Sequence, residues 1–225
     1  YVENRPDLWN SKVWIEELIE LRKHLGLDEI HLLGQSWGGM QTLEYVCNYK
    51  PEGLKSIILS STLPASWLWA EEAQRMIAQM PQDMQDAIKK ATESGDYSSP
   101  EYQAAEAEYM RQHCAGEVTE NDPECLRRPK KAGRESYVVG WGPNEFTPLG
   151  TLKDYDVIDQ LGDIKEPALI INGGNDLCTP YGAKFMYDRI PNSEWELFRT
   201  CRHMCFVEDN DHYVEVLKKW MNKND

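Results

Sequence analysis

The sequence predicts an α/β fold in which a parallel sheet is interrupted by a helical insertion. Three observations predict it. A strand, a helix and a second strand follow one another between Ile30 and Ser60. A stretch from Ala65 to about Gly140 offers no convincing strand. Two further strand-like runs then return after Pro167. Strand-helix-strand at this spacing is a βαβ unit, which places its strands parallel.

The first element is an amphipathic helix over Asn10 to Leu25. Val13, Trp14, Leu18, Leu21 and Leu25 recur at helical spacing, and Gly26 follows as a stop. Ile30 to Leu33 is a short apolar strand, and Gly39 to Tyr49 is helical, with Pro51 and Gly53 as breakers. Leu54 to Ser60, LKSIILS, is a second buried strand. Helices follow over WLWAEEAQRMIAQM, PQDMQDAIKKATES and SPEYQAAEAEYMRQHC. Their Trp67, Trp69, Met76, Met80, Met84, Tyr102, Tyr109 and Met110 read mainly as packing, with some free to line a pocket. Ala168 to Asn172 and Glu194 to Thr200 are the third and fourth strands. Tyr181 to Ile190 and Asp211 to Met221 are the remaining helices. The division expected is a core of residues 1–63 and 146–225 around a helical cap of residues 64–145.

Composition narrows the function. The 225 residues carry a formal charge of −14, which argues against nucleic acid, since a polyanion needs clustered Lys and Arg. No run approaches the roughly 20 apolar residues of a membrane span, and no signal peptide is visible. The six cysteines are scattered and read as reduced thiols of a cytoplasmic protein. A Cys114–Cys125 bridge stays open on spacing alone. Cys201 and Cys205 flank His203, but two thiols and one imidazole fall short of a structural metal site. No metal and no cofactor are expected. The chain begins with Tyr1 rather than Met, which reads as a break in a longer protein.

The chemistry lies in Gly34-Gln35-Ser36-Trp37-Gly38, a G-x-S-x-G run with a strand before it and a helix after it. That context lifts a serine hydroxyl off a strand end and aims the Trp37 amide at a developing oxyanion. A nucleophilic serine needs a base, and the base needs an orienting carboxylate. Asp176 follows the third strand and His203 the fourth, both at carboxyl ends, where parallel sheets place their sites. Ser36, Asp176 and His203 are therefore the candidate catalytic residues. His24, His31 and His113 are poorly placed, and His212 is the only rival base. Bland readings remain for each: a turn or cap residue for Asp176, a polar loop residue for His203.

HLLGQSWGGM at His31–Met40, GPNEFTPLGTLKDYD at Gly142–Asp156, NDLCTP at Asn175–Pro180, and IPNSEWELF with RHM at Ile190–Phe198 and Arg202–Met204 carry a resemblance. With them the chain resembles the prolyl aminopeptidases (proline iminopeptidases) of the α/β-hydrolase superfamily over nearly its whole length. The resemblance implies an α/β-hydrolase fold with a helical cap. It also implies a cytoplasmic serine peptidase that releases proline from the N-terminus of short peptides through an acyl-enzyme. It places Ser36, Asp176 and His203 on the triad positions, and Glu145 on a glutamate that receives the substrate's α-amine. A carboxylate at a pocket mouth would pair with a protonated prolyl nitrogen and reject N-blocked peptides. Trp37 and, more weakly, Trp141 are candidates to pack on the proline ring.

Two departures stand out. Leu177 lies where some members carry a second amine-binding glutamate. Either Glu145 works with another carboxylate of the insertion, or selectivity for a free amine is relaxed. The family's upstream His-Gly-Gly-Pro-Gly segment, source of a second oxyanion-hole amide, has no counterpart in this sequence. N-terminal strands are thus expected to be missing from the chain, leaving the strand of Leu32 with an unpaired edge and the chain alone poorly active. Two other readings stay open: a small-substrate esterase or amidase of the same fold, favoured by Leu177, and a catalytically silent binding protein. An aspartate-nucleophile dehalogenase is excluded by Ser36. The oligomeric state is left undetermined.

Overall fold

The computed structural model describes residues 4–129 and 133–225. Helix α1 (Ser11–Leu25) leads into β1 (Ile30–Gln35), α2 (Trp37–Glu44) and β2 (Leu54–Ser60). Five helices follow: α3 (Ser66–Ile77), α4 (Gln82–Ser94), α5 (Pro100–His113), α6 (Glu124–Arg127) and α7 (Arg134–Gly140). The chain then forms β3 (Ala168–Gly173), α8 (Pro180–Tyr187), β4 (Ser193–Phe198), α9 (Cys205–Glu208) and α10 (Asn210–Lys223). No helix among the described residues is long and apolar enough to cross a membrane.

The strands form one parallel sheet in the order β1-β2-β3-β4. Their unbroken apolar runs are explained by burial on both faces, as parallel sheets require. Along β2 and β3 the side chains alternate between two cores. Ile57, Leu59, Ala168 and Ile170 join one with Leu43, Met186 and the inserted helices. Ile58, Leu169 and Ile171 join the other with Phe198, Tyr213 and Trp220. At the opposite end of the order, β1 pairs with β2 alone among the described residues, and Leu33 is half-exposed.

The inserted helices leave after β2 and return to β3, the immediate neighbour of β2. The two ends of the excursion are tied together. Val157 N donates to Pro64 O at 3.0 Å, and Ser66 N to Tyr155 O at 2.9 Å. The buried Ser66 hydroxyl donates to Leu152 O at 2.7 Å.

Helix α1 differs from its expected pattern. Its caps follow the sequence signals: Asn10 accepts from Val13 N at 3.2 Å, and Gly26 adopts a left-handed φ of 64°. The inward face keeps Val13, Trp14 and Leu18 and adds Ile15, Ile19 and Arg22, while Leu21 and Leu25 are exposed. The last turn differs because Arg22 is committed inward. Its guanidinium donates to Tyr45 Oη at 3.0 Å, to Asp28 O at 3.2 Å and to Glu52 O at 3.1 Å. The stem of such a side chain covers apolar surface while its head serves loop carbonyls.

Cys47, Cys114, Cys178, Cys201 and Cys205 are free thiols. The Cys114–Cys125 pairing considered above meets an unbridged Cys114, and the side chain of Cys125 lies outside the described residues.

Ile170 is fully buried in the central strand β3. Ile170→Ala should lower stability by about 2–5 kcal/mol in urea denaturation. Leu149→Ser, at an exposed site, should change it by no more than about 0.5 kcal/mol.

Candidate active site

Ser36 occupies the single residue between β1 and α2, with φ 56° and ψ −123°. A non-glycine residue at positive φ costs about 1–3 kcal/mol and persists only where its surroundings hold it. Here Ser36 N donates to Ser60 O at 2.9 Å, and Thr62 Oγ1 donates to Ser36 O at 2.7 Å. The flanking glycines make the turn possible. A Cβ on Gly34 would lie 2.2 Å from Gly38 O, and one on Gly39 would lie 2.4 Å from Thr62 Cβ. Trp37 is the first residue of α2, so its N–H belongs to the helix-start amides that have no intrahelical acceptor.

Asp176 lies in the turn after β3 and is almost fully buried. Its carboxylate accepts from Gly173 N at 3.1 Å and Cys178 N at 2.8 Å. His203 follows β4, also buried. Its Nδ1 is 2.8 Å from Asp176 Oδ1, and its Nε2 is 2.9 Å from Ser36 Oγ. A carboxylate only accepts, so Nδ1 carries the proton and Nε2 is left to accept from the serine hydroxyl. Cys201 and Cys205 do not join His203. The ligand-type side chains beside it among the described residues are Asp176 and Cys178. Burial pushes the His203 pKa down, but the Asp176 hydrogen bond and charge, helped by Glu145, outweigh it. The net shift is upward from 6.5. Hydroxyl, imidazole and carboxylate in this order can draw a proton from Ser36 Oγ toward Nε2.

The turns bearing Asp176 and His203 are both fastened to the end of α5. The carbonyl of His113 accepts from Leu177 N at 3.2 Å and from His203 N at 3.1 Å. Arg202 Nη1 donates to Arg111 O at 2.7 Å. Glu208 fixes Arg202 in turn, accepting from its backbone N at 2.5 Å and its Nε at 2.7 Å. These positions were not singled out from the sequence for any such part. A backbone carbonyl carries no residue-type signal, and Arg202 stands in the RHM motif without any sign of its bond to Arg111 O.

Beside Ser36 opens a cavity of about 330 Å³. Trp9, Trp14, Trp37, Trp69, Trp141, Met40 and Leu152 give it apolar walls, and Glu145 and Tyr137 give it a polar end. Glu145 is held through two parts. Its carbonyl accepts from Trp69 Nε1 at 2.7 Å and Trp141 Nε1 at 3.0 Å, and its carboxylate accepts from Tyr137 Oη at 2.9 Å. Burial, reinforced by the charge of Glu145, pushes the Tyr137 hydroxyl far up, so it stays a donor. Burial also raises the pKa of Glu106, with Glu145's charge adding and the Tyr102 hydrogen bond opposing. This end of the cavity is electronegative and suited to a cation. The structure thus brings Ser36, Trp37, Trp141 and Glu145 to one cavity. Leu177 is buried in the large core cluster that also holds Trp141, and it does not line the cavity.

A family model described as the alpha/beta hydrolase fold matches residues 7–210. The proline iminopeptidase of Clostridium botulinum is 68% identical over 222 residues, 99% of this chain and 76% of that protein. The chain belongs to the proline iminopeptidase family of α/β hydrolases. The family member from Clostridioides difficile is 60% identical, over 100% of this chain and 77% of its own. The crystal structure of the proline iminopeptidase of Mycobacterium smegmatis superposes with a TM-score of 0.86 at 30% identity, covering 99% of this chain and 74% of the other. The family resemblance read from GQSWGG, GPNEF and NDLCTP therefore holds, and with it the α/β-hydrolase fold.

Two outcomes follow from the turn geometry and the charge pattern. Gly34→Ala should destabilise by about 1–3 kcal/mol or more, read by urea denaturation, because its Cβ meets backbone rather than a yielding side chain. Asp176→Asn removes the anion that favours imidazolium. The His203 midpoint, followed by NMR titration, should start above 6.5 and move down in the variant.

Proposed function

We propose that the chain is a serine exopeptidase that releases proline from the N-terminus of short peptides, with Ser36, Asp176 and His203 as its triad. The observation that carries this reading is one cavity lined both by Ser36, which is hydrogen-bonded to His203 and through it to Asp176, and by Glu145. The relatives named proline iminopeptidase support it.

Glu145 pairs with the protonated secondary amine of the substrate. The prolyl ring packs against the indoles of Trp37 and Trp141, and its carbonyl comes to rest over Ser36. Oγ attacks that carbonyl while His203 Nε2 takes its proton, and Asp176 stabilises the resulting imidazolium. The Trp37 N–H donates to the oxyanion. His203 then protonates the departing peptide nitrogen, leaving prolyl ester on Ser36. Water, deprotonated by His203, hydrolyses the ester and frees proline. Every step is served by these side chains and water. Residues 64–145 act as the cap over the site and contribute Trp69, Tyr137, Trp141 and Glu145 to its lining. Free thiols fit a reducing compartment such as the cytoplasm.

The test is hydrolysis of prolyl p-nitroanilide by the full-length protein. Ser36→Ala should abolish it. Glu145→Gln weakens a charge-assisted contact made equally in ground and transition states, so KM should rise about 10–100-fold with kcat little changed. N-acetylprolyl p-nitroanilide should not be cleaved. Ser36-dependent cleavage of small esters with no prolyl amide turnover would replace this reading with an esterase. Silence towards both would leave a binding protein.

A further inference from the structure

Trp14 comes from α1, distant in sequence from the serine turn and from the inserted helices, yet it lines the same cavity as Ser36 and Glu145. Its indole meets the Trp37 ring edge to face, with centroids 4.8 Å apart and planes at 83°. The outer edge of its six-membered ring lies against Gly140, the last residue of α7. A Cβ built on Gly140 would sit 3.1 Å from Trp14 Cη2 and 3.9 Å from Cζ2. The ring therefore spans from the serine turn to the inserted helices, and it reaches that far because residue 140 has no side chain.

We propose that Trp14, seated against Gly140, is the specificity wall of the acyl pocket, limiting the N-terminal residue to a side chain no broader than the pyrrolidine ring. This rests on the reading above, in which Glu145 takes the amine and Ser36 the carbonyl. With both ends of the residue fixed, its side chain can only extend laterally, toward the indoles. Trp69 and Trp141 are pinned there, since both donate to Glu145 O and their rings meet edge to face at 5.7 Å. Trp37 adjoins Ser36 and cannot shift without disturbing the nucleophile. Trp14 is held by ring packing and by its fit to Gly140, which makes it the wall whose position a single substitution can change in either direction.

The experiment compares kcat/KM for prolyl, alanyl, leucyl and phenylalanyl p-nitroanilides in the full-length protein and its Trp14→Ala, Trp14→Phe and Gly140→Ala variants. Pocket shape discriminates by about 10–200-fold per methylene. Trp14→Ala should raise the leucyl-to-prolyl ratio at least about tenfold, and Trp14→Phe by less. Gly140→Ala pushes the indole into the cavity. It should lower the prolyl-to-alanyl ratio, through KM rather than kcat. A common fall for every substrate in Trp14→Phe and Gly140→Ala, with ratios unchanged, overturns the proposal and leaves Trp14 a support for the fold. Labelling of Ser36 by a fluorophosphonate identifies a variant that has not folded, in which case the two milder substitutions decide. A wild-type protein with no Ser36-dependent prolyl amidase activity would instead defeat the underlying functional reading, and would do so whatever the variants show.

Discussion

The site depends on the parallel pairing of four strands. Because all run the same way, Ser36, Asp176 and His203, which follow β1, β3 and β4, emerge from the same edge of the sheet. Neighbouring strands lie about 4.8 Å apart, so β1 and β3 are separated by roughly twice that, with β2 between them. A serine and an aspartate cannot touch across such a gap. An imidazole can bridge it, and His203 folds back from the outer strand to do so, with 2.8 Å and 2.9 Å contacts at its two nitrogens. A one-residue slip in β1, β3 or β4 would turn the side chain that follows it to the wrong face.

The second requirement is that the two loops hold still. Helix C-termini leave their last carbonyls without intrahelical donors. The end of α5 uses one of them, His113 O, to accept from the amides of Leu177 and His203 together. Helix α5 and the two loops that carry Asp176 and His203 are thus fastened by one oxygen. The Arg202–Glu208 pair adds a second strap, directed at Arg111 O. Movement of α5 would be felt both at the imidazole and at the turn that carries its carboxylate partner.

Much of this was legible in the sequence because it rests on local pattern. Buried parallel strands read as unbroken apolar runs, and LKSIILS and ALIIN have no other comfortable home. The G-x-S-x-G run is informative because its glycines answer a steric demand, shown by the 2.2 Å approach that a Cβ on Gly34 would make to Gly38 O. The last turn of α1 was misjudged because periodicity counts leucines and cannot foresee that Arg22 turns inward to serve the Tyr45 hydroxyl and loop carbonyls. The part played by His113 was invisible for a different reason: it acts through its backbone. Trp14 stood in the sequence only as one apolar position of an amphipathic helix. Its place on the cavity wall depends on the approach of α7, more than a hundred residues away, and no short-range pattern encodes that.

The tie between Pro64, Ser66, Tyr155 and Val157 has an evolutionary consequence. The excursion leaves and re-enters between adjacent strands, and its two ends are stitched together where they meet. The stitch therefore fixes where the excursion meets the sheet, while the helices beyond it share a core with Ile57, Leu59, Ala168 and Ile170. A change in the intervening helices that still covers that face would alter the lining that Trp69, Trp141 and Glu145 give the cavity while leaving the strand edge unchanged. One condition limits this freedom: any replacement must arrive with an acceptor for the Leu177 and His203 amides.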